Sequence, residues 1–185
     1  MKWMIASDLH GSAYYTRLLL QAMEHEQPDR LLLLGDLLYH GPRNDLPKEY
    51  DPKQVIAMLN AVKDKLLCVR GNCDAEVDQM VLDFPILADY CVLEAAGRLI
   101  YATHGHTLSE QNPPKLQPGD VLLHGHTHIP ACTDHGSFLY CNPGSVAIPK
   151  ADSWHGYLTL TDGVFSWKDM DGTEKMQCNL QNCKI

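Results

Sequence analysis

The apolar positions of the first 70 residues fall into short runs separated by helix-like stretches. Residues 2–6 (KWMIA) form a run that stops at Ser7-Asp8. Residues 12–25 have helical composition, with Ser12 as N-cap. After Pro28-Asp29 comes RLLLLGD, and four consecutive leucines bounded by turn residues predict a strand buried on both faces. Residues 52–63 read as a second helix opening on Pro52, and KLLCVR (65–70) as a third strand ending at Gly71-Asn72. This β-α-β-α-β alternation predicts parallel strands joined by right-handed crossovers.

The second half is richer in strands. A short helical piece near 74–82 precedes runs at 87–94 and 98–103, which face each other across an Ala-Gly turn. Further runs lie at 120–124, 137–141, 156–160 and 164–167, the last two joined by the hairpin signal Thr161-Asp162-Gly163. Two sheets packed face to face with helices outside are expected, in one domain spanning 1–185. No linker, repeat or low-complexity segment interrupts it.

Composition adds constraints. No run approaches the roughly 18 apolar residues of a membrane span, and the N-terminus is too short for a signal segment. Seven cysteines, an odd number without a C-x-x-C pair, suit reduced thiols and a cytoplasmic location. Cys178 and Cys183 stand close together, but no pairing is read from them. The net charge of −8 argues against a nucleic-acid-binding surface, and no stable nucleic-acid complex is expected. Dications held by acidic ligands would offset that charge locally, so an anionic substrate stays open.

The chemistry-bearing residues sit immediately after the apolar runs. Asp8-Leu9-His10, Gly35-Asp36, Gly71-Asn72-Cys73-Asp74, His104-Gly105-His106 and Gly125-His126-Thr127-His128 each follow one, mostly beside a glycine that permits a sharp turn. Ligand sites in open α/β sheets form outside the carboxyl ends of the strands, so five such ends would converge. Alternation along LLHGHTHIP (122–130) would put His124, His126 and His128 on one side. A set of Asp, Asn and His without thiolate suits Mn²⁺, Fe²⁺, Zn²⁺ or Co²⁺. It exceeds what one tetrahedral ion takes, so two ions are expected, with a carboxylate such as Asp36 as a bridge.

D-x-H, G-D, G-N-x-D, H-G-H and G-H-T-H, in this order over residues 8–128, resemble the calcineurin-like metallophosphoesterase superfamily. Short length, GNCD, GHTHIP and Asn142-Pro143-Gly144-Ser145 are similar to its small YfcE-like phosphodiesterase branch, relatives of the retromer subunit of the same fold. The resemblance implies an α/β fold, a four-layer α-β-β-α sandwich with two mixed β-sheets. It implies one metal held by Asp8, His10, Asp36 and His128, and another by Asp36, Asn72, His104 and His126. The implied reaction is phosphodiester hydrolysis by in-line attack of a metal-bridging hydroxide on a small substrate. Mn²⁺ heads the candidate ions, with Zn²⁺, Fe²⁺, Ni²⁺, Co²⁺ and Mg²⁺ as alternatives, and a homo-oligomer is left open.

Many superfamily enzymes carry histidine directly after the asparagine, where it polarises the phosphate. Here that residue is Cys73, a weak donor. His106 is the candidate to help protonate the leaving group, and Asp74 is expected to orient a ligand histidine. Arg43 is a candidate phosphate contact. His124 reads as structural, His40 as loop polarity, and His25, His135 and His155 as surface residues, while 142–145 reads as a turn that could line the site. Two rivals remain: a non-catalytic scaffold like the retromer subunit, and a hydrolase of phosphomonoesters or dinucleoside polyphosphates.

Overall fold

The computed structural model describes residues 1–182, so the Cys178/Cys183 spacing reaches outside the described residues. The first sheet runs β11-β10-β9-β1-β2-β3. Its strands are β1 (Trp3–Ala6), β2 (Arg30–Leu33), β3 (Leu66–Cys68), β9 (Gly156–Thr161), β10 (Val164–Asp169) and β11 (Glu174–Asn179). The second runs β4-β5-β6-β8-β7, from β4 (Tyr90–Ala95), β5 (Arg98–Thr103), β6 (Val121–His124), β7 (Ala131–Asp134) and β8 (Leu139–Asn142). Both are mixed. Strands β1, β2 and β3 are parallel, as are β5, β6 and β8, while β9 and β4 join antiparallel.

The leucine run shows how the layers are held. Leu31 and Leu33 point into a core with helices α1 (Ala13–Glu26) and α2 (Pro52–Ala61), beside Met4, Leu19, Val55 and Leu59. Leu32 and Leu34 point the other way, into a core between the sheets with Ile5, Ile100, Leu123, Phe165 and Trp167. Burial on both faces is what an unbroken apolar strand requires. Ser12 caps α1 by accepting from the Tyr15 amide, and Asp51 caps α2 with Pro52 in its first turn.

The two mixed sheets and the flanking helices match the expectation. The outermost cover of the second sheet is different: there the 105–119 segment, not a helix, lies over the outer face, and Leu116 packs on Leu122, Phe138 and Tyr140. Pro113-Pro114 and Pro118 deny this segment a continuous helical ladder. Among the described residues, the last helix is α3 (Glu76–Gln79). The sequence pattern missed β7 and β11, whose residues (ACTD and EKMQCN) alternate weakly and stay largely exposed. The 161–163 hairpin forms as expected, with positive φ at Asp162 and Gly163.

Candidate metal centre

The five strand ends meet at one end of the sandwich. Asp8 and His10 follow β1, Asp36 follows β2, Asn72 follows β3, His104 follows β5, and His126 and His128 follow β6. Asp8, His10, Asp36, His126 and His128 all adopt left-handed backbone, with φ between 47° and 64°. Few non-glycine residues adopt that conformation. It also undoes the alternation expected along 124–128. His124 remains on the strand and faces outward, its ring against Tyr140 and its Nε2 accepting from the Glu110 amide. His126 and His128 swing inward instead.

Three rings are oriented alike. Nδ1 of His10, His104 and His128 donates to the carbonyls of Tyr39 (2.8 Å), Leu34 (2.6 Å) and Ile148 (2.6 Å). That fixes the tautomer and leaves each Nε2 lone pair aimed at the centre. His126 instead presents Nδ1, 3.1 Å from His104 Nε2. Asp8 Oδ1 lies 3.3 Å from His128 Nε2 and 3.6 Å from His10 Nε2, while Asn72 Oδ1 lies 3.0 Å from His104 Nε2. Asp36 Oδ2 stands between the two groups, 3.7 Å from His10 Nε2 and 3.5 Å from His104 Nε2.

The residues fit divalent cations on an independent ground. Asp8 Oδ1 is buried with no hydrogen-bond partner. A carboxylate oxygen so placed costs several kcal/mol unless a cation or donor satisfies it (about 1–3 kcal/mol even for a neutral group). Burial and the nearby His104 push His126 down to about 4, so its lone pair is free at neutral pH. Asp8/His10/His128 and Asp8/Asp36/His104 each place ligand atoms within 4.8 Å of one another.

Asp74 departs from expectation. Its carboxylate accepts from the amides of Asp36 (2.9 Å), Leu37 (2.9 Å) and Gly71 (2.7 Å), rather than touching a ligand histidine. Two strand-end turns leave these amides pointing inward, and a buried carboxylate satisfies all three. The glycines also divide by role. Gly35 and Gly105 supply positive φ, whereas Gly71 and Gly125 permit close approach. A Cβ at Gly125 would collide with Ser7 Oγ, and one at Gly71 with the Asp36 carboxylate.

Above the ligands opens a cavity of about 470 Å³. Cys73 lines it, its thiol pushed up to about 12 by burial and the charge of Asp36, so the group is a protonated donor. Arg43 lines it, on a loop whose Gly41 sits against Cys73. His106 is not among the residues lining the cavity; its ring stands 5.4 Å from His104 and 6.3 Å from His126, its pKa lowered by burial and by His104. Lys150 and Thr127 also line the cavity, and the sequence reading had passed over both. The 142–145 turn is buried behind the site: Asn142 donates to Gly125 O and Thr127 Oγ1, and Ser145 donates to Asp8 O. His40 stands edge-on to Tyr50, and His155 stacks on Tyr15 at 3.8 Å instead of lying on the surface.

A family model for the calcineurin-like phosphoesterase superfamily domain matches residues 1–162. The chain belongs to that superfamily. It is 45% identical over 166 residues to phosphodiesterase YfcE of Escherichia coli strain K12, covering 90% of each chain. The solved structure of that phosphoesterase from E. coli superposes with a TM-score of 0.93 at 42% identity, covering 97% of this chain and all of the other. The probable metallophosphoesterase YsnB of Bacillus subtilis is 26% identical over 168 residues, 87% of this chain and 84% of its own. Vps29 from Entamoeba histolytica, solved in complex with zinc, shares the fold at a TM-score of 0.60 and 17% identity, over 97% of this chain and 99% of its own.

Proposed function

We propose that the protein is a metal-dependent phosphodiesterase with two divalent ions, Mn²⁺ foremost. Asp8, His10, Asp36 and His128 would hold one ion, and Asp36, Asn72, His104 and His126 the other. The observation that carries this reading is the Asp36 carboxylate, flanked by His10 at 3.7 Å and His104 at 3.5 Å. Bound there, the ions would supply Lewis-acid polarisation of the phosphoryl oxygens and a lowered pKa for water. Kinship to the E. coli phosphodiesterase supports the diester as substrate.

The protein's own groups have the remaining tasks. Backbone carbonyls of Leu34, Tyr39 and Ile148 keep three imidazoles aimed at the ions. Asp74 holds the turns that carry Asp36 and Asn72. The Cys73 thiol donates to a phosphoryl oxygen, more weakly than an imidazole would. His106, beside His104, would be the group to protonate a leaving alkoxide. The full set of seven ligands favours an enzyme over a scaffold of the same fold.

Chelator-treated protein should show no turnover of bis(p-nitrophenyl) phosphate, and Mn²⁺ should restore it. Asp36→Ala should reduce that activity to background. Lack of any metal-stimulated turnover across Mn²⁺, Zn²⁺, Co²⁺ and Ni²⁺ would sink the proposal.

A further inference from the structure

Resting on the phosphodiesterase reading, we propose that Arg43 and Lys150 form a subsite for a second phosphate group, carried on a substituent of the diester and distinct from the scissile phosphate. The two cations reach the cavity from different walls. Arg43 belongs to the loop seated against Cys73, whose turn is closed by the Asn44 side chain donating to His40 O at 2.8 Å. Lys150 stands on the His128 side, its amide donating to His128 O at 3.1 Å. Neither makes an ion pair with a described residue, although the chain carries a net charge of −8. Acidic side chains are abundant, and none is spent on these two.

A tight turn follows Lys150. The two residues that follow, Ala151 and Asp152, both take left-handed φ of 54° without being glycine. Ser153 staples the turn, its amide donating to Lys150 O at 3.1 Å and its hydroxyl at 2.7 Å. Positive φ at both central residues, closed by that amide bond, is the geometry of a tight type I′ turn. The turn follows Lys150, whose side chain lines the cavity.

Size and chemistry select the ligand. The floor of the cavity is formed by His10, Asp36, Asn72, His126 and His128, which would engage ions and the scissile phosphate. A volume of about 470 Å³ falls within the range of sites that enclose a whole small molecule, far beyond one phosphate. A guanidinium offers paired donors to phosphate oxygens, and a lysine ammonium offers a compact charge. Together they match a diester that bears a phosphate monoester on one of its substituents.

The test uses two matched pairs with the full-length protein. One pair is the p-nitrophenyl ester of thymidine 5′-phosphate with and without a 3′-phosphate, assayed with Mn²⁺. The other is thymidine 5′-phosphate and thymidine 3′,5′-bisphosphate, compared by calorimetry as a readout independent of turnover. The wild-type protein should prefer the 3′-phosphorylated member of each pair by about tenfold or more, as expected for charge-assisted bonds. Arg43→Gln and Lys150→Gln should each shrink that ratio several-fold, and the double variant should abolish it. Equal preference in the wild type, or variants that weaken both members of a pair alike, would overturn the subsite. Absence of Mn²⁺-stimulated hydrolysis of bis(p-nitrophenyl) phosphate with the calorimetric preference intact would instead overturn the phosphodiesterase reading and leave the subsite standing.

Discussion

Replacing Asp74 by alanine tests the framework beneath the ligands. The carboxylate is 3% exposed and accepts three backbone N–H bonds of 2.7–2.9 Å, from Asp36, Leu37 and Gly71. Alanine strands those amides, at about 1–3 kcal/mol each, or about 3–9 kcal/mol in all. Burial works against this figure: it raises the Asp74 pKa even though the amides favour the ionised form. The wild-type protein therefore already carries a desolvation cost that alanine removes. A net loss of about 3–5 kcal/mol follows, a large share of a typical domain's stability. For a chain of this size each kcal/mol shifts Tm by about 2–4 °C, so thermal unfolding should move down by roughly 6–20 °C.

Asp74→Asn keeps one acceptor oxygen and should lose about half as much. Both variants should need more Mn²⁺ for half-maximal stabilisation, because the Asp36 and Gly71 backbones lose a common anchor. Calorimetric melts with and without Mn²⁺ give both numbers. An Asp74→Ala protein that melts within about 2 °C of wild type, with an unchanged metal response, would refute the reasoning.

Cys73→His puts a stronger donor on the phosphoryl oxygen and should raise kcat for alkyl and aryl diesters alike, by up to about a hundredfold; a gain confined to poor alkyl leaving groups would contradict that role. Gly125→Ala should impair folding or metal uptake, because its methyl group would occupy the space of Ser7 Oγ; a variant with wild-type melting and activity would refute that steric account. His124→Ala should lower Tm through lost packing on Tyr140 and the freed Glu110 amide, yet retain most of the turnover; loss of activity in a folded variant would return His124 to the site.

The sheets and the ligand cluster were legible because both depend on local order along the chain. Apolar runs mark strands buried on two faces, and their polar ends mark the edge where a site forms, which is why Asp8, Asp36, Asn72 and His104 stood out. Strand β11 did not, because an edge strand packed on one side tolerates EKMQCN. Alternation misplaced His124 with its neighbours, because positive φ at His126 and His128 is a tertiary constraint that period-two reasoning does not contain. Asp74 was recognised as important and given the wrong partner, since three amides converge on it only once β2 and β3 lie side by side. Lys150 looked like any surface lysine. Nothing in its neighbours shows that residues about 20 apart, His128 and Lys150, share a backbone hydrogen bond.

The origin of the seven candidate ligands has a mechanical consequence. Asp8, His10, Asp36 and Asn72 come from strand ends of the first sheet, while His104, His126 and His128 come from the second. Ions gripped by both would act as a clasp at one end of the sandwich, where the packing is polar and the apolar core between the sheets no longer reaches. Parting the sheets would then require releasing the ions. A hundredfold excess of free metal over its dissociation constant adds about 2.7 kcal/mol to the work of opening. The durability of the fold and the readiness of the catalyst would rise and fall together with the metal supply.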